Sequence, residues 1–199
     1  NQLGGTVVAE FDLSFTPAPA IAPHLVAPAN NADFIFVACM PEDITAVLKS
    51  VRSALPTTPI IGGDSFDCDA VLNTPTAISQ ASTNAAAATA PTNHVWFATH
   101  AWLGAGCSPA AQAFVAAYSA AYGTPPPNAF AALGYDAARL AIDARTRAGS
   151  DDPKAITAAL AATTNFHGVT GTISYANGPV PKKDIWIVSV TKGALHREQ

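Results

Sequence analysis

Between Asp33 and Asp43 the chain reads Asp-Phe-Ile-Phe-Val-Ala-Cys-Met-Pro-Glu-Asp, and no other stretch restricts the fold as strongly. Phe34 to Ala38 is an apolar run too short to be a helix of its own, and it predicts a strand covered on both faces. Pro41 suits the first position of a helix, and Glu42 and Asp43 suit the positive end of the helix dipole. Ile44, Val47, Leu48 and Val51 then recur at helical spacing and give that helix one apolar face. A second strand follows at Pro59-Ile-Ile-Gly-Gly-Asp64. Strand, turn, helix and strand in this order predict a parallel sheet with crossover helices. In open α/β sheets small molecules bind beyond the carboxyl ends of the strands. Cys39-Met40 and Gly63-Asp64 therefore mark one candidate site.

Composition narrows the function classes. Nearly half of the 199 residues (49%) are apolar and only 12% are charged, so the chain can bury a substantial core. The net charge of −4 and the absence of any basic run longer than Lys182-Lys183 argue against nucleic-acid binding. Proline or polar residues interrupt every apolar stretch before it reaches membrane-spanning length, so a soluble chain is expected. Asn1-Gln-Leu-Gly-Gly does not read as a signal peptide, and export would rest on residues outside this sequence. Cys39, Cys68 and Cys107 match neither metal-ligand nor redox spacing. One disulfide with one free thiol is open, Cys39 with Cys68 being the easiest pair to bridge, and so are three half-buried thiols.

Along the chain, Thr6 to Phe11 reads as a first strand, and four prolines between Ser14 and Asn31 leave only a short or broken helix there. Asp69 to Ala90 reads as a poor helix and a loop, and His94 to Thr99 as another strand. From Ala101 the pattern changes to helices. Ser108 and Pro109 open one that carries Phe114, Tyr118 and Tyr122 on one face and stops at Gly123. A second runs from about Phe130 to Ala148, with Leu133, Ala137, Leu140, Ala141 and Ala144 inward and Gly149 as its stop. Asp152-Pro153 opens a third, with Ile156 and Leu160. Gly168–Tyr175 and Asp184–Thr191 read as strands joined into a hairpin by Ala176-Asn-Gly-Pro179. Three helices in succession have apolar faces and no strand between them to cover.

Several segments in order carry a family resemblance: Ala32-Asp-Phe-Ile-Phe-Val, Pro59-Ile-Ile-Gly-Gly-Asp64, Ala113-Phe-Val-Ala-Ala-Tyr-Ser-Ala-Ala-Tyr-Gly123, Ala131-Ala-Leu-Gly-Tyr-Asp-Ala137 and Phe166-His-Gly-Val-Thr-Gly-Thr-Ile-Ser-Tyr175. Over most of its length the chain resembles the C-terminal part of a type I periplasmic solute-binding protein of the leucine/isoleucine/valine-binding group. The resemblance implies an α/β fold, type I periplasmic-binding-protein-like, in which a parallel-sheet lobe is accompanied by helices of a second, incomplete lobe. It implies that residues 1–100 belong to the C-terminal lobe, 101–165 to helices of the first lobe, and 166–199 to the return through the hinge. It also implies a non-enzymatic binder of an amino acid or similar small organic solute, serving an ABC-transporter permease. The location would be periplasmic or extracellular, with the protein lipid-anchored or soluble. The first-lobe sheet would lie outside this sequence, as a missing N-terminal lobe. No cofactor or metal is implied.

By the same resemblance Asp64 occupies the position of the acid that meets a ligand ammonium. Cys39 and Met40 occupy a position where family members present an aromatic residue, Phe130 matches an aromatic beside the ligand side chain, and Phe66 is expected as a further apolar wall. Each has a plainer reading. Asp64 suits a helix N-cap near Phe66, Met40 core filling, and Phe130 a staple at a helix start. A different function class is a cysteine-dependent enzyme, with Cys39 at the strand-to-helix turn as nucleophile and His94 or His100 as base. It is opposed by the lack of any recognisable partner motif around the five scattered histidines. A ligand-sensing receptor domain is the remaining alternative, and it would need an attached signalling segment.

Overall fold

The computed structural model describes residues 4–13, 32–69, 71, 94–175, 178–191 and 194–198. The chain divides into two compact units, residues 1–98 with 187–199, and residues 99–186.

The first unit is built on a five-stranded sheet in the order β1-β2-β3-β6-β7. Its strands are β1 (Ile35–Val37), β2 (Ile60–Gly62), β3 (Val95–Thr99), β6 (Trp186–Thr191) and β7 (Ala194–Arg197). β1, β2 and β3 run parallel, with Ile35 opposite Ile60 and Ile60 opposite Val95. Helix α1 (Pro41–Ala54) crosses from β1 to β2, with Pro41 in its first turn as the sequence predicts. Ile44, Val47, Leu48 and Val51 are buried, so the 3.6-residue period reads the correct face. The same face carries Arg52, which is fully buried. Its guanidinium donates to the carbonyls of Leu55 (3.1 Å), Thr58 (2.7 Å) and His94 (3.5 Å). It thus occupies backbone acceptors that α1 and the following loop leave open. Burial lowers its pKa to about 10, and it remains charged at neutral pH.

Two expectations for this unit fail. β1 is not covered on both faces: Phe34 and Phe36 are 53% and 62% exposed. β1 ends the strand order, and an apolar run cannot reveal whether a second layer exists to cover it. Thr6 to Phe11 forms no strand, and Val7 and Val8 are exposed. Strand propensity yields a strand only where a neighbour accepts its hydrogen bonds. The proline-rich segment 14–31 and most of 69–90 lie outside the described residues.

The second unit contains α2 (Pro109–Tyr122), α3 (Ala129–Ala148), α4 (Pro153–Ala161), β4 (Phe166–Gly168) and β5 (Gly171–Ile173). Side-chain caps start each helix. Ser108 accepts from Ala111 N at 3.2 Å, Asn128 from Phe130 N at 3.1 Å and Asp152 from Lys154 N at 3.3 Å. Gly123 and Gly149 end α2 and α3 at φ of 76° and 59°, a left-handed conformation that glycine adopts without penalty. A small core joins Ala111, Phe114, Ala132 and Val169. From Phe114 the aromatic rings step outward, Phe114 to Tyr118 at 5.8 Å and Tyr118 to Tyr122 at 4.5 Å, and Tyr122 is 70% exposed.

The inward face of α3 is displaced from the one expected. Leu140 and Ala144 are buried, but Ala137 and Ala141 are exposed, and the buried row runs through Ala129, Ala132 and Asp136. The displacement has one cause: a carboxylate sits on the core side. Asp136 is 1% exposed, and its two oxygens accept from the backbone of Val169 (2.9 Å) and Thr170 (2.8 Å). Those amides form the tight turn between β4 and β5, and Gly168 leaves the space that the carboxylate fills.

The C-terminal strands also pair differently from the expected hairpin. β5 returns onto β4 with Phe166 opposite Ile173, and β6 pairs antiparallel with β7, with Val188 opposite Arg197. Ser174 makes an isolated bridge to Lys182, which precedes the second of the two segments expected to form one hairpin. Shorter loops close at lower entropic cost, and the Asp136 cap favours the nearer turn. Gly178, at φ 122°, does turn the chain there, while Ala176 and Asn177 lie outside the described residues.

Candidate functional site

The parallel register determines what stands at the carboxyl edge of the first unit. Val37 pairs with Gly62, and Cys39 and Asp64 each lie two residues beyond that pair on adjacent strands. Neighbouring strands are separated by about 5 Å, so the two turns share one stretch of sheet edge. Met40 holds the N-cap position of α1 with extended backbone and no side-chain cap, and its side chain is 62% exposed. Glu42 and Asp43 occupy the first turn.

Asp64 is the first residue of a one-turn 3-10 helix, Asp64–Phe66, and is exposed. Gly63, not Asp64, precedes that turn in the capping position. The ring of Phe66, expected as a wall, is fully buried against the backbone of Gly62, where a β-carbon would collide with it. Gly62 is therefore a packing requirement, and the ring beneath it fixes the turn that presents Asp64.

Cys39, Cys68 and Cys107 are all free and half-buried, which selects the three-thiol alternative over a disulfide. Burial, above all, pushes the Cys39 thiol up to about 11, and the neighbouring charges of Asp43, Cys68 and Glu42 act in the same direction. A nucleophilic cysteine needs the opposite shift. The histidines considered as bases stand against aromatic rings, His94 at 6.1 Å from Trp96 and His100 at 6.3 Å from Phe130.

Phe130 belongs to the second unit. It lies in the first turn of α3, is 41% exposed, and meets the His100 ring edge-on. A cleft of about 420 Å³ in the same unit is lined by Arg139, Asp143, Arg147, Thr163, Asn165, Phe166 and His167, none of them expected from sequence as site residues. Its guanidinium groups are committed to holding the fold. Arg147 bonds Asp143 (2.8 Å), the Ala159 carbonyl (2.7 Å) and Thr163 (2.7 Å), tying α3 to α4. Arg139 donates to the His167 carbonyl at 3.3 Å and lies over Phe166 and Tyr135. Among the described residues no group of three or more histidine, cysteine or carboxylate side chains could hold a metal ion. No helix among them is long and apolar enough to cross a membrane.

Sequence reasoning missed the buried polar groups that organise the two units, Arg52 and Asp136. A carboxylate breaking an apolar helical row, with a Gly-x-x-Gly turn downstream at Gly168 to Gly171, is the one signal that could have found Asp136.

The chain is similar to solved solute-binding proteins. A leucine-binding protein from Thermotoga maritima is 28% identical, with a TM-score of 0.72, and the match covers 100% of this chain and 52% of that one. A branched-chain amino acid transporter substrate-binding protein from Streptococcus pneumoniae, solved with isoleucine, is 26% identical with a TM-score of 0.65, over 82% of this chain and 42% of that one. An ABC-transporter solute-binding protein from R. palustris, solved with benzoate, has a TM-score of 0.70 over 94% of this chain and 48% of that one; at 18% identity it shows the fold alone. The chain thus spans about half the length of the structures it matches. The fold is that of type I periplasmic binding proteins. Comparison with curated proteins finds no match. The family model for periplasmic binding proteins matches residues 1–194, and the chain belongs to that family.

Proposed function

We propose that this chain is the closing part of an extracytoplasmic solute-binding protein, which captures an amino acid or similar small organic solute for an ABC importer. The observation that carries the reading is the alignment of Cys39-Met40 with Asp64 at the carboxyl edge of one parallel sheet. An exposed carboxylate there, beside an apolar thioether, suits a ligand with an ammonium group and an apolar body. Of the solved structures above 25% identity, one is named for leucine and one was solved with isoleucine, which supports an aliphatic amino acid.

Residues 1–100 would belong to the second lobe, residues 101–165 would be helices of the first, whose sheet lies elsewhere in a longer protein, and residues 166–199 would carry the hinge return and the closing strands of the second lobe, with β4 and β5 still on the helical side of the return. Unit boundaries at Ala98/Thr99 and Trp186/Ile187 support two chain crossings. Tyr122 and Ile142, 70% and 65% exposed, suit a missing covering layer. Closure of the lobes would expel water and strengthen an ammonium–carboxylate pair. A permease in the membrane would receive the loaded form, at a periplasmic or extracellular location. The raised pKa of Cys39 speaks against the alternative in which that thiol is a nucleophile.

Asp64→Ala in the full-length protein should weaken L-leucine by about 2 to 4 kcal/mol, as loss of one partner of a buried charge pair does. Benzoate, which has no ammonium, should be spared. Calorimetric titration reads both, and equal L-leucine affinity in the variant would remove Asp64 from the site.

A further inference from the structure

The two places where the chain passes between its units are Ala98/Thr99 and Trp186/Ile187. Just inside the second unit, a side chain joins them: Lys183 Nζ donates to the carbonyl of His100 at 2.9 Å. The ammonium is half-buried, and burial and the nearby carboxylates act on it in opposite directions. Burial lowers its pKa, while Asp136 and Asp184 partly restore it. Asp136 is the same carboxylate that accepts from the backbone of the β4–β5 turn, so the lysine lies within electrostatic reach of that turn's anchor. On its far side His100 meets the Phe130 ring at 6.3 Å, edge to face. An unbroken path therefore runs from the return crossing, through the outgoing one, to the first turn of α3.

We infer that Lys183 is a positioning residue: it clasps the two crossing segments together and, through His100, sets the orientation of the Phe130 ring. The clasp rests on geometry within the second unit. Its effect on ligand binding rests on the reading of Phe130 as a ligand-facing side chain given above. A lysine does this where an uncharged donor would not, because a charge-assisted bond to a carbonyl holds its length while the flexible stem follows backbone movement. A clasp of this kind restrains the crossing segments without locking them, as hinge segments that absorb backbone rotation require.

The test compares Lys183→Met and Lys183→Arg with wild type in the full-length protein. The first keeps the apolar stem and removes the donor, and the second restores a donor. The readout is the set of His100 imidazole proton resonances, assigned with His100→Gln, because ring currents from Phe130 displace them. Lys183→Met should move those resonances toward solvent-exposed positions at unchanged thermal stability, and Lys183→Arg should return them. Unmoved resonances in Lys183→Met would overturn the inference, and so would a shift that appears only together with general unfolding. Titration with L-leucine and with benzoate separates the two readings. If Phe130→Ala weakens either probe at least tenfold and Lys183→Met weakens the same probe several-fold, both stand. If Phe130→Ala changes neither while the resonances still move, the clasp stands and the ligand-facing assignment of Phe130 fails. If Phe130→Ala weakens binding but Lys183→Met alters neither resonances nor affinity, the site stands and the clasp fails.

Discussion

Cys39 is the residue whose chemistry separates binding from catalysis. With its pKa raised from 9.0 to about 11, the thiolate fraction at neutral pH falls about a hundredfold below that of an unperturbed thiol. The sign follows from the causes: burial and the carboxylates of α1 both disfavour a negative charge, so the folded protein holds this proton more tightly than the unfolded chain does. Between pH 9 and 11 the fold therefore loses stability as pH rises. The rate of iodoacetamide alkylation at Cys39 should be slow at pH 7 and climb about tenfold per pH unit until it levels near 11, as followed by mass spectrometry with Cys39→Ser as control. A plateau near pH 7 would contradict the described environment. The position of Cys39 beside Asp64 is legible in the sequence because both follow strands of one strand-helix-strand unit, and such strands pair in parallel. Phe66 is not legible in the same way. Whether a ring beside a sheet edge faces solvent or the core depends on the space left at Gly62, which spacing does not encode.

Helix ends were readable because their signals are local. Ser108, Asp152, Gly123 and Gly149 act within one turn of themselves, through hydrogen bonds or a backbone conformation that few other residues adopt. The face of α3 was not readable, because its centre is a carboxylate whose partners lie more than thirty residues downstream. The strand pairings of the C-terminal segment failed for the same reason, since turn signals propose a hairpin but competing turns decide it. Asp136 thus has a measurable role as the link between α3 and the β4–β5 turn. Asp136→Ala would leave two backbone N–H groups buried without partners and should destabilise the full-length protein by about 3 to 5 kcal/mol. Asp136→Asn keeps one acceptor and should lose clearly less. Urea unfolding of the three proteins checks the order, and equal midpoints for Asp136→Ala and wild type would show that the carboxylate does not hold the turn.

At the scale of the whole molecule, the family assignment has a physical counterpart in what the second unit leaves exposed. Its helices carry apolar residues that its own small core does not use, and α4 has no fully buried residue. Sequence showed this as helices without strands between them. It could not show which side chains stay exposed, since that depends on the rest of the fold. On the proposed function, this chain belongs to a protein that binds a small solute without converting it. The most direct measurement is a thermal-shift titration of the full-length protein against aliphatic amino acids and small aromatic acids, with the solute recovered and analysed afterwards. A solute-binding protein should show a concentration-dependent rise in Tm with at least one aliphatic amino acid, with that solute recovered unchanged. A flat response across the aliphatic amino acids, or a solute returned as product, would contradict it.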